Sequence, residues 1–203
     1  HVYQTVKAGN QWWMAENLKV TRYTNGDTIP EVLDDLEWAN LKTGARCSYD
    51  NDESNAKTYG YLYNWFATAD SRNIAPTGWH VPTDDDWKKL EMALGMSPAE
   101  TDKEQYRGSN EGSKLAGNSD LWYSGGLENN AAFGESGLCA LPAGYRYDIY
   151  GYFHSLRAYT GFWSSTEWHS CCAWYRDVHS GESEICRDNR GKPQGFSVRL
   201  VRD

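Results

Sequence analysis

The residues best suited to chemistry lie near the C-terminus, between Trp168 and Arg190. This short stretch carries imidazole, thiol, guanidinium, carboxylate and indole groups. Aromatic rings and arginines are the side chains that dominate binding energy at interfaces. We therefore predict a ligand-binding surface in this segment. Its candidate residues are Trp168, His169, Ser170, Cys171, Cys172, Trp174, Arg176, Asp177, His179, Glu184, Cys186, Arg187, Asp188 and Arg190.

Two strands are predicted within the segment, at AWYRDV (173–178) and ESEICR (182–187), joined by a turn at HSG. Alternate side chains of a strand share a face. Trp174, Arg176 and Val178 are therefore expected on one face, and Tyr175 and Asp177 on the other. The alternative that one of the two aromatic residues belongs to the core and that Arg176 is a solvated charge stays open.

Metal binding has two candidate positions. His169, Cys171, Cys172 and His179 are suitable zinc ligands by type, but adjacent cysteines do not easily point into one tetrahedral site. The acidic loop YDNDE (49–53) offers the oxygen ligands that calcium prefers, although its spacing is not that of an EF-hand loop. We expect no cofactor, with calcium as the alternative.

The five cysteines fit no CxxC metal motif and are too few for a disulfide-built scaffold. A bridge from Cys186 to Cys171 or Cys172 is one interpretation, and five reduced thiols is the other. No GxSxG or cysteine–histidine signature of a nucleophilic enzyme is present. We therefore expect a protein that is not an enzyme.

Composition excludes other classes. The net charge of −8 and the lack of a basic stripe argue against nucleic-acid binding. No apolar run is long enough for a transmembrane segment. Ten tryptophans and fourteen tyrosines among 203 residues indicate a folded core and not a disordered chain. The chain begins at His1 without a methionine, so we interpret it as a mature or trimmed segment, and the missing leader gives no information about the compartment.

The elements that must position the segment are predicted from local patterns. Helices are predicted at residues 59–70 and from Thr83 to Leu94, where Thr83 is the N-cap and Asp86 completes a near capping box. Further signals are a hairpin turning at Gly9-Asn10, a helical turn at 34–38, short helices at 101–106 or 111–115, and a strand at 196–201. The predicted fold is a single α+β domain over residues 1–203, with two main helices, a mostly antiparallel sheet and long loops.

Six blocks resemble the Fibrobacter succinogenes major paralogous domain family. They are GNQWWMAENL (9–18), YGYLYNW (59–65), PTGWHVPTDDDW (76–87), ALPAGYRY (140–147), FWSSTE (162–167) and GFSVRLVRD (195–203). The resemblance implies a C-type lectin-like fold, related to the formylglycine-generating enzyme, in a secreted or surface-anchored bacterial protein. That family carries no established catalytic activity.

The resemblance also has departures. Family members often carry one cysteine just before PTGWH and another in the final SVRCVRD, where this chain has Ala75 and Leu200. We therefore expect the long-range disulfide of C-type lectins to be missing. Cys171, Cys172 and Cys186 invite comparison with the copper-binding cysteines of the formylglycine-generating enzyme, but no local motif matches, which disfavours an oxidase of that type.

The blocks FWSSTE and GFSVRLVRD further resemble the constant flanks of diversity-generating retroelement variable proteins, which display hypervariable residues on a C-type lectin-like fold. The leading prediction is therefore a ligand-displaying protein with its surface at 168–190, acting outside the cell or on a surface. The partner would be a protein or a glycan. The alternative is a carbohydrate-binding or adhesion module, with calcium as a possible aid.

Overall fold

The computed structural model describes residues 2–203 and contains twelve short or medium strands and seven short helices within that range. In chain order the strands are β1 (Thr5–Ala8), β2 (Gln11–Met14), β3 (Arg46–Cys47), β4 (Leu62–Tyr63), β5 (Trp79–His80), β6 (Gln105–Arg107), β7 (Tyr145–Arg146), β8 (Phe153–His154), β9 (Tyr159–His169), β10 (Cys172–His179), β11 (Ile185–Gly191) and β12 (Val201–Arg202). The helices are α1 (Asp35–Ala39), α2 (Glu53–Tyr59), α3 (Trp65–Thr68), α4 (Asp84–Ala93), α5 (Pro98–Thr101), α6 (Glu111–Leu115) and α7 (Gly126–Asn129). The predicted α+β class is confirmed.

Two four-stranded antiparallel sheets carry the architecture. The first has the order β1-β2-β12-β5 and joins the two ends of the chain. The second has the order β6-β11-β10-β9 and contains the long strands. Two-stranded ladders pair β3 with β4 and β7 with β8. The predicted hairpin at Gly9-Asn10 is confirmed as β1–β2, and the predicted hairpin at 173–187 is confirmed as β10–β11.

Helix α4 is the longest helix in residues 2–203, and its start agrees with the prediction. The Thr83 side chain accepts from the Asp86 backbone N–H, and the Asp86 carboxylate accepts from the Thr83 backbone N–H. This reciprocal capping satisfies two donors that a helix start leaves unpaired. Trp87 and Leu90 are the buried apolar residues of α4, whereas Ala93, one turn after Leu90, is exposed.

The predicted helix at residues 59–70 is wrong over its first half. Gly60 adopts a positive φ of 79°, which ends α2 at Tyr59. Leu62–Tyr63 then forms a strand, and the Tyr63 backbone N–H donates to the Phe196 carbonyl at 2.8 Å. A new helix starts at Trp65, capped by the Asn64 side chain. Tertiary strand pairing therefore overrides the helical spacing of the aromatic residues.

The shorter signals have mixed outcomes. Helices at 34–38 and 111–115 are confirmed as α1 and α6. The signal at 101–106 belongs to the end of α5 and to β6, so no helix covers it. In the predicted strand at 196–201, only Val201 lies in a named strand, yet all six residues are buried.

Arg199 explains how a charged residue fits inside this last segment. Its guanidinium donates to the carbonyls of Met14, Leu138 and Cys139 and to the Asn17 side chain, at 2.5–2.9 Å. Burial lowers the pKa of Arg199 to about 10. These carbonyl bonds connect the C-terminal segment to the start of the chain and to the loop before β7.

The two positions where the family often carries cysteines lie in one core cluster. Ala75 and Leu200 are both almost fully buried and pack in the cluster that also holds Trp163, Tyr175 and Phe196. All five cysteines within residues 2–203 are free thiols. Packing of large aromatic rings therefore supplies the stability that a disulfide would otherwise add.

Candidate functional site

The two faces of β10 have different neighbours. Trp174, Arg176 and Val178 face α4 and the elements that follow it, whereas Tyr175 and Asp177 face an open cavity. The alternation therefore follows the prediction. The register aligns Gly161, Asp177, Cys186 and Tyr106 in one row across all four strands of the second sheet.

On the helix-facing side, buried charges are paired within the chain. Arg176 is fully buried and donates to the Glu91 and Asp84 carboxylates at 2.5 and 2.7 Å. Arg187 also binds Asp84, at 2.9 and 3.0 Å, and Arg107 binds Glu91 at 2.6 Å. We call these five residues the arginine–carboxylate network.

The network corrects two of the predicted site residues. Arg176 and Arg187 were expected on a binding surface, but both are buried and hold α4 against the sheet. Trp174 covers the network from outside, with the Arg187 guanidinium 3.7 Å from its ring centroid. Asp84 has a structural role too, because it pairs with both Arg176 and Arg187. Burial alone would raise the pKa of Asp84, but the two arginines lower it well below its ordinary value.

On the opposite face lies a cavity of about 540 Å³, which we call the tyrosine cavity. Its floor is the sheet face that carries Tyr106, Tyr175, Asp177, Cys186 and Asp188. Side chains from the 145–159 region form a wall. The complete lining is Gln105, Tyr106, Tyr145, Tyr147, His154, Ser155, Tyr159, Tyr175, Asp177, Cys186, Asp188, Arg190 and Gln194. Five tyrosines among thirteen lining residues give the cavity aromatic walls with polar tips.

Asp177 is the most unusual group in the cavity. Its side chain is 3 % exposed, and no lysine, arginine or histidine within residues 2–203 forms an ion pair with it. Burial raises its pKa to about 6, although hydrogen bonds from Cys186, Tyr175, Tyr159 and Tyr106 act in the opposite direction. This carboxyl is therefore partly protonated in mildly acidic solution and ionised above it.

Cys186 shares a rung with Asp177 and lies in the cavity floor. Burial raises the pKa of its thiol, and the Asp177 charge raises it further. A thiol held in its protonated form is a weak nucleophile and a poor metal ligand. Its position also excludes the bridge that the sequence left open, since Cys172 lies opposite Gly191, five residues along β11 from Cys186. Five residues of strand span about 16 Å, far beyond disulfide reach.

The other predicted residues lie at the two ends of the β10 strand. Trp168, His169, Ser170, Cys171 and Cys172 surround the β9–β10 turn, where the first four are exposed. His179 and Glu184 flank the β10–β11 turn and are half-buried. Of the fourteen predicted residues, the tyrosine cavity contains Asp177, Cys186, Asp188 and Arg190.

Most of the cavity lining lies outside the predicted segment. The nine lining residues that sequence reasoning missed are Gln105, Tyr106, Tyr145, Tyr147, His154, Ser155, Tyr159, Tyr175 and Gln194. One signal was available, because the stretch from Tyr145 to Tyr159 is dense in tyrosine. Tyr150 and Tyr152 in that stretch are more than half exposed, and their rings stack at 6.0 Å with an interplanar angle of 23°.

Neither metal candidate is assembled as a cluster. Across residues 2–203, no group of three or more histidine, cysteine, aspartate or glutamate side chains is arranged to hold a metal ion. In the acidic loop, Asp52 instead caps α2 by accepting from the Ser54 backbone N–H. Over the same residues, none of the helices has the length and apolar character needed to cross a membrane.

Comparison with known proteins gives one match. The family model of the Fibrobacter succinogenes major domain matches residues 6–202, almost the full length. No curated protein and no solved structure matches the chain.

Proposed function

The chain belongs to the Fibrobacter succinogenes major domain family, and from this premise we propose that it is a non-catalytic ligand-binding protein whose site is the tyrosine cavity. The cavity itself is the observation that carries this proposal. It combines about 540 Å³ of open volume with five tyrosine rings and a polar remainder of the lining that includes two carboxyl groups. That combination is typical of small-ligand sites.

The proposal includes a C-type lectin-like fold and a location outside the cell or on its surface. The family resemblance supports both. The long irregular connections before the second sheet are in keeping with such a fold. Absence of catalysis is supported by the protonated Cys186 thiol, since the only cysteine in the cavity is held in its unreactive form. The comparison with copper oxidases is disfavoured for the same reason.

A matched pair of substitutions tests the position of the site. His154 lines the cavity and is exposed, whereas His169 is exposed at the β9–β10 turn, outside the cavity. In a screen of small-molecule fragments and glycans by protein-observed NMR, we expect ligands of the unmodified chain to be lost in His154→Trp and kept in His169→Trp. Ligands that survive His154→Trp and are lost in His169→Trp would move the site to the turn.

We also propose that the surface is variable, as in diversity-generating retroelement variable proteins. The constant flanks at 162–167 and 195–203 support this, because both are buried scaffold for much of their length. Sequencing of sibling loci tests it. Substitutions should concentrate between Thr166 and Gly195, and an even scatter along the chain would remove the proposal.

A carbohydrate-binding or adhesion module is the second candidate. The exposed, stacked rings of Tyr150 and Tyr152 favour it, because they extend the aromatic wall beyond the cavity mouth. A glycan array with and without chelator, repeated with the double variant Tyr150→Ala/Tyr152→Ala, tests it. We expect the double variant to lose glycan binding if these rings are a platform. A chelator-sensitive signal would add calcium to the mechanism.

A further inference from the structure

We propose that the tyrosine cavity selects ligands that carry a positively charged nitrogen, with Asp177 as the counter-ion. This inference rests on the proposed function, because it specifies the ligand class of the same site. It concerns the small-molecule ligand and leaves open which neutral groups surround the cationic nitrogen.

The first argument is that Asp177 lacks the partner that comparable carboxylates have. Asp84 and Glu91 are as deeply buried, and each forms ion pairs with two arginines. Asp177 receives hydrogen bonds from neutral donors alone, among them the Tyr106 hydroxyl at 3.4 Å. A buried carboxylate without a cation is unfavourable unless its charge is compensated. A ligand cation in the cavity supplies that compensation.

The second argument is the nature of the walls. Five tyrosine rings line the cavity, and of these Tyr175 stacks on Phe196 while Tyr159 contacts Phe196 at a tilt. The faces of aromatic rings attract cations, most strongly where water is displaced. Aromatic cages are the usual recognition device for quaternary ammonium groups.

The third argument is the distribution of the remaining charges. Asp188 adds a second carboxylate to the floor, and the Cys186 thiol stays neutral. Arg190 is exposed and lies opposite Ala173, four residues along β10 from Asp177. Its guanidinium hydrogen-bonds the Tyr175 side chain, and within residues 2–203 it forms no ion pair with Asp177. The Asp177 end is therefore suited to a cation.

Choline and 3,3-dimethylbutan-1-ol are suitable probes, because they have the same shape and differ in charge. Titration of the unmodified full chain, followed by amide shifts of β10 and β11, gives both affinities. We expect choline to bind at least about tenfold more tightly, as a charge-assisted contact in a partly dry site would give. Equal affinities, or no choline binding at concentrations up to about 50 mM, would overturn the inference.

The role of the Asp177 carboxylate is tested with two variants that change the net charge by the same amount. Asp177→Asn and Asp85→Asn change the net charge equally, but Asp85 is on the exposed side of α4, outside the cavity. We expect choline affinity to fall at least about tenfold in Asp177→Asn and to stay within about twofold in Asp85→Asn. Equal losses in both variants would assign the effect to overall charge and reject the site. If Asp177→Asn does not fold, the two probes on the unmodified chain still decide.

The dependence of binding on pH gives an independent readout. The groups facing Asp177 are Tyr106, Tyr159, Tyr175 and Cys186, with Asp188, Arg190 and His154 farther along the lining. Choline keeps its charge at all pH values, so we expect its affinity to be about tenfold weaker at pH 5 than at pH 8, as Asp177 becomes protonated. His154→Gln should keep this dependence. Loss of the dependence in His154→Gln would assign it to the histidine and count against Asp177.

Failure of this inference and failure of the proposed function give different results. A neutral ligand that binds in the cavity and is lost in His154→Trp would keep the site and reject the cation. If every ligand, choline included, survives His154→Trp unchanged, the cavity is not the site and both proposals fail.

Discussion

A buried carboxylate lies on each side of the second sheet, but the two sides surround its charge with different partners. On the helix-facing side, the carboxylates of Asp84 and Glu91 are buried against arginines. On the cavity side, Asp177 is buried against tyrosines and a thiol, with an open volume beside it. Neighbouring residues of one strand, Arg176 and Asp177, belong to these two different environments.

The two sides of the sheet shift the pKa values of their buried carboxyl groups in opposite directions. The arginines lower the pKa of Asp84, whereas burial raises that of Asp177 to about 6. Ionised Asp84 therefore stabilises the fold, and ionised Asp177 destabilises it. The helix-facing side is organised for stability. The cavity side retains an uncompensated charge, as expected where a site is organised for binding.

The largest expected effect comes from breaking the arginine–carboxylate network. Arg176→Ala leaves Glu91 and Asp84 with one arginine each, and removal of one partner from a buried ion pair typically costs about 3–5 kcal/mol. We expect the free energy of unfolding in urea to fall by that amount. Arg190→Ala is the control, because this exposed arginine hydrogen-bonds Tyr175 but pairs with no buried carboxylate, so its removal should cost about 1 kcal/mol or less. Similar losses in both variants would remove the distinction between the faces.

A second prediction concerns Asp177 and pH. Its folded pKa of about 6 lies above the value of about 4 in an unfolded chain, so its contribution to stability is present below pH 4 and is lost as the pH rises through 6. Two pKa units correspond to about 3 kcal/mol. Relative to the unmodified chain, we expect Asp177→Asn to gain about 2 kcal/mol between pH 4 and pH 7, because part of the full change falls below pH 4.

Urea unfolding of both proteins at the two pH values measures this difference, because the contributions of all other groups cancel. A difference that stays constant with pH would mean that Asp177 has an ordinary pKa. In that case the contrast between the two carboxylates would disappear.

The smallest expected effect tests whether the two faces are independent. Thr83→Ala removes the hydroxyl that caps α4, which typically costs about 1 kcal/mol. The helix carries Asp84 and Glu91 but no residue of the cavity lining. We expect stability to fall by about 1 kcal/mol with amide shifts of Asp177 and Cys186 unchanged. Shifts on the cavity side would show that the faces are coupled through the sheet.

Local signals allowed part of the fold to be predicted. The start of α4 followed from Thr83 and Asp86, and the first hairpin from Gly9-Asn10, because each signal and its consequence lie within a few residues. The helix at 59–70 failed because Tyr63 pairs with Phe196, more than a hundred residues away. No local pattern contains that information.

The candidate site was predictable to a similar extent. Alternation along 173–178 correctly separated Arg176 from Asp177, but it could not say which side would meet α4. That depends on Asp84 and Glu91, which are distant in sequence from β10 and carry no local signal of their buried arginine partners. The wall at 145–159 was missed because its residues are distant in sequence from much of the floor and lie beside it only in the folded chain.

Under the variable-surface proposal, the register of β10 and β11 also limits which positions could change. Arg176 and Arg187 are held by the buried network, whereas Asp177, Cys186 and Asp188 face the cavity, where an exchange would change the ligand and not the contact with α4. In such a repertoire, variable positions on the cavity face would alternate along each strand with positions that pack on the α4 side. Because alternate side chains share a face, about half of the strand positions could vary, and each combination of side chains would be presented on the same scaffold.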